Sequence, residues 1–193
     1  MKRQNLYFHG SVNPNIRSIH KPSIDHPFCV TIDIAYALDY ATQESDFDEN
    51  ASEKSGVVYA MNLNLSKLKI FDFGSKSNIE LLSDSFSEYL INAMTPIGGA
   101  RHAVDPVGVF SDFAIEYSSI KRLKKSEQRE VQKTFDQLQK LHEQFFKKPI
   151  QKTHDDLVLD CRKLLLKTLQ EKGFNGYLSN VYTTYSLLFK RYW

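Results

Sequence analysis

Residues 6–11, with the sequence LYFHGS, are the stretch that decides the expected fold. Their first four residues are apolar or aromatic and are followed directly by Gly10, a pattern that predicts a short strand ending in a turn. We therefore expect His9 at the end of a strand and facing a loop. The next residues, 12–27, include three prolines and two asparagines, which predicts an irregular loop.

A second strand and a short helix are predicted after this loop. Residues 28–31, with the sequence FCVT, have the apolar character of a strand. Residues 34–41 predict a short helix, and Asp33 is available as its N-cap. Tyr40 is then expected in the last turn of that helix.

The rest of the chain alternates between predicted strands and helices. Apolar alternation predicts strands, and apolar residues at intervals of three and four predict amphipathic helices. Gly173 is expected to end the last helix. The chain is therefore predicted to be a single α+β domain over residues 1–193. The predicted strands lie at 57–63, 68–73, 174–179 and 182–189, and the predicted helices at 79–93, 126–146 and 155–172.

Composition excludes few functional classes. The net charge of +2 does not demand a nucleic-acid partner, since phosphate binding needs clustered positive charge. Cys29 and Cys161 lack the spacing of a zinc site or a disulfide framework, so we expect two buried free thiols in a reducing compartment. The sequence shows neither a signal peptide nor a membrane span, which predicts a cytoplasmic protein without a membrane partner.

The order of these segments resembles a known family. LYFHGS at 6–11, then FCVTID at 28–33 leading to ALDYA at 37–41, resembles the first two motifs of ADP-ribosyltransferases with the His-Tyr-Glu active site. This is the branch related to diphtheria toxin and the poly-ADP-ribose polymerases, and the chain looks like a small bacterial or phage toxin of that branch. The resemblance implies a split antiparallel β core with peripheral helices and a mainly helical insertion over about 77–148.

NAD is the substrate that this resemblance implies, with no metal. By position, His9 would bond the NAD ribose, the backbone of Gly10 would contact the nicotinamide amide, and Tyr40 would stack on the nicotinamide ring. Arg17 would meet the pyrophosphate. Ser11 and Thr31 are further pocket-lining candidates.

The third motif of the family departs from its pattern here. Residues 173–178, GFNGYL, resemble the turn before the strand that normally begins with the catalytic glutamate, and that position is Thr184. A threonine cannot supply the carboxylate that favours a cationic transition state. Three explanations stay open: the transferase relies on its substrate or another residue, the site is inactive, or a residue such as Glu116, in a predicted strand at 113–117, takes that role.

The expected activity is that of an NAD-dependent mono-ADP-ribosyltransferase, an intracellular toxin that modifies RNA, DNA or a protein. An antitoxin protein of a toxin-antitoxin or antiviral system is then an expected partner. The alternative is a catalytically inactive module of the same fold that binds NAD or ADP-ribose. An RNA-directed phosphotransferase that uses NAD is a third hypothesis, whose extra Arg and His residues we cannot place.

Two groups of cationic or titratable residues add weaker expectations. The basic run at 121–125, KRLKK, is either a solvated face or a patch for nucleic acid. His102, His142 and His154 show no metal-ligand pattern and are expected to lie on the surface.

Overall fold

The computed structural model describes residues 6–11, 24, 28–46, 56–95, 105–179 and 184–187. Six strands and six α-helices lie in these ranges, in the mixed α+β arrangement that the sequence predicts. The strands are Leu6–Ser11 (β1), Phe28–Thr31 (β2), Val57–Asn62 (β3), Ile70–Asp72 (β4), Gly176–Ser179 (β5) and Thr184–Leu187 (β6). The helices are Ile34–Asp46 (α1), Lys76–Glu80 (α2), Glu88–Met94 (α3), Pro106–Ser118 (α4), Lys125–Phe146 (α5) and His154–Glu171 (α6).

The strands form one sheet in the order β3-β1-β2-β6-β5-β4. Neighbouring strands are antiparallel except β4 and β5, which run parallel. A parallel pair needs a long crossover. Here the chain between β4 and β5 includes the helices α2 to α6, so the helical part of the chain is the connection between these two strands.

Two hydrophobic clusters stabilise the fold. The larger cluster joins α2 to α6 with the β4 and β5 end of the sheet, where Phe73 contacts both Phe71 and Tyr177 edge to face. The smaller cluster forms around Tyr7 and Val30 of β1 and β2. The strands that carry the first two motifs therefore have a core of their own.

Helix boundaries follow local capping. The Asp105 side chain accepts a hydrogen bond from Val107 N–H at the start of α4, and the Thr153 side chain accepts one from Asp156 N–H at the start of α6. Gly173 follows α6 with a φ of 79°, a left-handed conformation that glycine adopts without steric cost. The predicted ends of the last helix are confirmed to within about one residue.

Three sequence-based boundaries are wrong. β1 continues to Ser11, so His9 lies within the strand rather than at its end. α1 continues to Asp46, so Tyr40 lies in its middle turns. The helix predicted at 79–93 is two helices, α2 and α3, because the chain between them turns to bury Leu82 and Phe86.

Candidate functional site

The pairing of β1 with β2 is interrupted beside His9. β1 pairs with β3 along its whole length, from Leu6 opposite Asn62 to Ser11 opposite Val57. Among the described residues β1 pairs with β2 only at Phe8 and Thr31, although both strands continue beyond that pair. We call this interruption of the pairing, next to His9, the opening between β1 and β2.

His9 bridges this opening with its side chain. Its Nδ1 lies 2.9 Å from the carbonyl oxygen of Cys29 in β2, and its ring lies 4.6 Å from that of Phe28. A carbonyl oxygen only accepts hydrogen bonds, so Nδ1 carries the proton and donates it. In the neutral imidazole Nε2 is then an acceptor, and it can receive a hydrogen bond from a hydroxyl group such as that of a ribose.

Gly10 lies directly against α1. A Cβ atom at this position would lie 1.9 Å from the carbonyl oxygen of Ala37 and 3.0 Å from the nitrogen of Ala41. Only glycine allows this approach of strand and helix. The sequence predicted a ligand contact at Gly10, and the structure adds a packing reason for the same residue. Gly56 has the same role against Ala41, which the sequence analysis missed.

Tyr40 lies on α1 within the turn that contacts Gly10. The residue is 53% exposed, so α1 presents an aromatic surface to solvent at this position. Side chains alternate along a strand, and Gly10 faces α1, so His9 projects from the other face of β1. A ligand that contacts both His9 and Tyr40 would have to straddle the opening between β1 and β2.

Thr31 and Asp33 form the junction between β2 and α1. The Thr31 hydroxyl accepts a hydrogen bond of 3.0 Å from Asp33 N–H. The Asp33 carboxylate accepts bonds from Ala35 N–H and Tyr36 N–H at 2.9 and 3.4 Å, which confirms it as the N-cap of α1. Thr31 is buried, and its hydroxyl has a structural role at this junction.

Thr184 begins β6, the strand on the other side of β2. Its backbone is in register with Thr31 of β2 and with Ser179 of β5. The sheet therefore brings the strands of all three motifs together, with β2 between β1 and β6. Ser11 ends β1 opposite Val57, and Arg17 lies outside the described residues.

Glu116 lies in helix α4, so its prediction as a strand residue is wrong. A run of five residues with four apolar side chains fits either structure by pattern alone. The buried residues Phe110, Phe113 and Ala114 follow helical spacing, and Asp105 and Pro106 begin a helix. The Glu116 carboxylate accepts a hydrogen bond of 2.6 Å from the Tyr89 hydroxyl. Burial of that hydroxyl, and then this bond, raise its pKa.

His142 is fully buried, so its prediction as a surface residue is wrong. Its Nδ1 donates to the Lys148 carbonyl oxygen at 2.8 Å, and its Nε2 lies 3.5 Å from Asp160 Oδ1. The same aspartate accepts a hydrogen bond from Gln151 N–H, so the cluster ties the end of α5 to α6. His154 is exposed as expected, and His102 lies outside the described residues.

The basic run at 121–125 contributes to a groove beside α5. Lys121 lines this groove together with Arg129, Lys133 and Lys140 of α5. The sequence analysis missed these three cations because it treated α5 only as an amphipathic helix. Their spacing of four and seven residues on one helix was the signal that would have found them.

Comparisons with known protein families, with curated proteins and with solved structures found no match for this chain. In the described ranges, no helix has the length and apolar character needed to cross a membrane. Those ranges also contain no group of three or more His, Cys, Asp or Glu side chains placed to hold a metal ion.

Proposed function

We propose that this chain is an NAD-dependent mono-ADP-ribosyltransferase whose nicotinamide pocket lies at the opening between β1 and β2. The observation that carries the proposal is the hydrogen bond from His9 Nδ1 to the Cys29 carbonyl oxygen. This bond holds the imidazole at the opening and leaves Nε2 as an acceptor for a ribose hydroxyl.

The arrangement of the strands supports the same proposal. His9, Thr31 and Thr184 come from three strands that lie side by side, and the last two are in register. The close packing of Gly10 on Ala37 fixes the helix that carries Tyr40 against the strand that carries His9. Residues far apart in sequence thus lie on neighbouring inner strands of the sheet, which supports a split β core with an NAD site.

The proposed reaction breaks the bond between the nicotinamide nitrogen and C1′ of the adjoining ribose. Nicotinamide leaves with the electron pair of that bond, and positive charge develops on the ribose. An oxygen or nitrogen nucleophile of the acceptor then bonds to C1′ and loses its proton. His9 would orient the ribose, Gly10 the carboxamide, and Tyr40 the nicotinamide ring.

An NAD-binding module without transfer activity is the second candidate, and the placement of Glu116 favours it. This carboxylate is hydrogen-bonded to Tyr89 in the helical layer. Glu116 was a candidate for the catalytic glutamate only as a strand residue, and it lies in α4. Thr184 supplies no carboxylate at the third motif. Activity in the first candidate would therefore depend on the acceptor or on another residue.

The proposed acceptor is a macromolecule, RNA, DNA or protein, and the proposed role is that of an intracellular toxin held in check by an antitoxin protein. The experiment is to incubate the purified protein with labelled NAD and total cell lysate, and to follow free nicotinamide and labelled polymer. Parallel samples receive nuclease or protease, so that loss of label in one of them identifies the acceptor.

We expect wild-type protein to release nicotinamide and the His9→Ala variant to release at least tenfold less, about the size of a positioning effect. The matched control is His154→Ala, a histidine on the exposed start of α6. Bound NAD without nicotinamide release would replace the transferase with the binding module. If the protein neither binds NAD nor releases nicotinamide, both candidates are overturned.

A further inference from the structure

The groove beside α5 concentrates positive charge on one surface. It has a volume of about 750 Å³ and lies between the turn at Ile120–Arg122 and the outer side of α5. Lys121, Arg129, Lys133 and Lys140 line it, against the single carboxylate of Asp136. The groove therefore has a formal charge of +3, more than the net charge of the whole chain.

The four cations of the groove have no anionic partner in the described part of the chain. Other lysines there do have one, because Lys167 pairs with Glu171 at 2.6 Å and Lys172 with Asp84 at 2.7 Å. Lys121, Arg129, Lys133 and Lys140 form no such pair within those ranges. Unpaired cations that share a concave surface attract an anion from solution.

The cations of α5 form a row along the helix axis. Arg129, Lys133 and Lys140 are separated by four and seven residues, so they span about 16 Å at the rise of an α-helix. They lie opposite the buried face that includes Val131 and Phe135. A row of this length suits an extended chain of phosphates better than one small anion.

Three glutamines of the groove have fixed amide groups. The side-chain nitrogens of Gln128, Gln132 and Gln137 donate to the Leu123 carbonyl, the Asp136 carboxylate and the Ser85 carbonyl at 2.8, 2.8 and 3.3 Å. These bonds orient the amides and direct their carbonyl oxygens to other partners. Carbonyl oxygens accept hydrogen bonds from hydroxyl groups, and the 2′-hydroxyl is the donor that RNA has and DNA lacks.

We propose that this groove is a binding surface for RNA. The four cations contact consecutive phosphates, and the glutamine carbonyl oxygens accept from 2′-hydroxyls. The lining contains no aromatic side chain among the described residues, which favours recognition of a base-paired stem over stacking on single-stranded bases. The surface goes beyond the proposed transferase activity, and its occupation does not depend on NAD.

The test measures binding of a fluorescent RNA hairpin by anisotropy, without NAD, across a series of salt concentrations. The variant is Lys133→Gln with Lys140→Gln, and the matched control is Lys67→Gln with Lys76→Gln, two exposed lysines elsewhere. We expect the slope of log K against log salt to become shallower by about 1.4 to 1.8 in the groove variant, the loss of two phosphate contacts. The control should keep the wild-type slope.

The contribution of the 2′-hydroxyl groups is tested with two further hairpins of the same sequence, one of DNA and one of 2′-O-methyl RNA. The methylated hairpin keeps the A-form shape but lacks the hydroxyl hydrogen. We expect the DNA hairpin and the methylated hairpin each to bind at least about threefold more weakly than the RNA hairpin. Equal binding of the three hairpins, or an unchanged slope in the groove variant, would overturn the proposal. Nicotinamide release by the same variant, measured without RNA, should equal that of wild type and reports separately on the proposed function.

Discussion

Gly10 lies so close to Ala37 that a Cβ atom added to the glycine would stand 1.9 Å from the alanine carbonyl oxygen. Van der Waals contact between a carbon and an oxygen needs far more room, so strand and helix touch through their backbones at this point. β1 and α1 are therefore fixed relative to each other. His9 is the residue before Gly10, and Tyr40 lies one turn after Ala37.

Replacing Gly10 with alanine is expected to destabilise the protein. The new methyl group must displace the backbone of α1, and we expect the free energy of unfolding to fall by about 3 kcal/mol, the upper range for overpacking. Urea unfolding of wild type and variant measures this difference.

Gly108→Ala is the matched control for Gly10→Ala. A Cβ at Gly108 meets Asp105 at 3.8 Å, which is ordinary contact, and the residue lies in helix α4. We expect this substitution to stabilise the protein by about 0.5–1 kcal/mol, because alanine favours a helix over glycine. Equal effects of the two substitutions would refute the packing of β1 on α1.

His142→Ala is expected to lower the free energy of unfolding by about 3 kcal/mol, through the lost side-chain volume and the Lys148 carbonyl left without its hydrogen bond. The substitution removes the bond to the Lys148 carbonyl and leaves Asp160 buried without its imidazole neighbour. His154→Ala, at an exposed position, should stay within about 0.5 kcal/mol of wild type. A small effect at His142 would contradict its place in the core.

Asp84 provides a test of pH dependence. Its hydrogen bond to Lys172, with a second one from Ser85, lowers the pKa of the carboxyl below its ordinary 3.8. A lowered folded-state pKa adds stability that is present above the ordinary value and is lost as the pH falls through the folded value. The Asp84 side chain is largely exposed, so we expect Asp84→Asn to cost less than about 1 kcal/mol at pH 7.

The difference between Asp84→Asn and wild type should therefore shrink toward nothing as the pH falls from 3.8 through the lower folded-state pKa, where the carboxyl of the folded protein becomes neutral. Urea unfolding at pH 7 and at successively lower pH measures it. A cost at Asp84 that persists at low pH would show that the lysine does not bond the charged form.

Much of this fold can be predicted from the sequence, because the signals that set its helices come from residues close together in the chain. The Asp33 cap, the buried stripe of α5 and the glycine after α6 each depend on neighbours within one or two turns. The strand error at Glu116 has a different origin, because a run of five residues with four apolar side chains fits either period until the Asp105 cap and the helical spacing of Phe110 and Phe113 are weighed.

The candidate site was only partly predictable for the same reason. Sequence indicates His9, Gly10 and Tyr40 as candidates, but the interrupted pairing of β1 with β2 depends on contacts between segments 20 residues apart. The cations of α5 were predictable from their spacing on one helix, but their position beside Lys121 of the preceding turn depends on packing. The buried His142 is a further case, since its partner Asp160 comes from another helix.

The central claim is that NAD binds at the opening between β1 and β2 through His9, and calorimetric titration of NAD tests it directly for both the transferase and the binding module. We expect wild-type protein and His154→Ala to bind NAD alike, and His9→Ala to bind about tenfold more weakly because one directed hydrogen bond is lost. If folded His9→Ala binds NAD as tightly as wild type, or if wild type does not bind NAD, the account is contradicted.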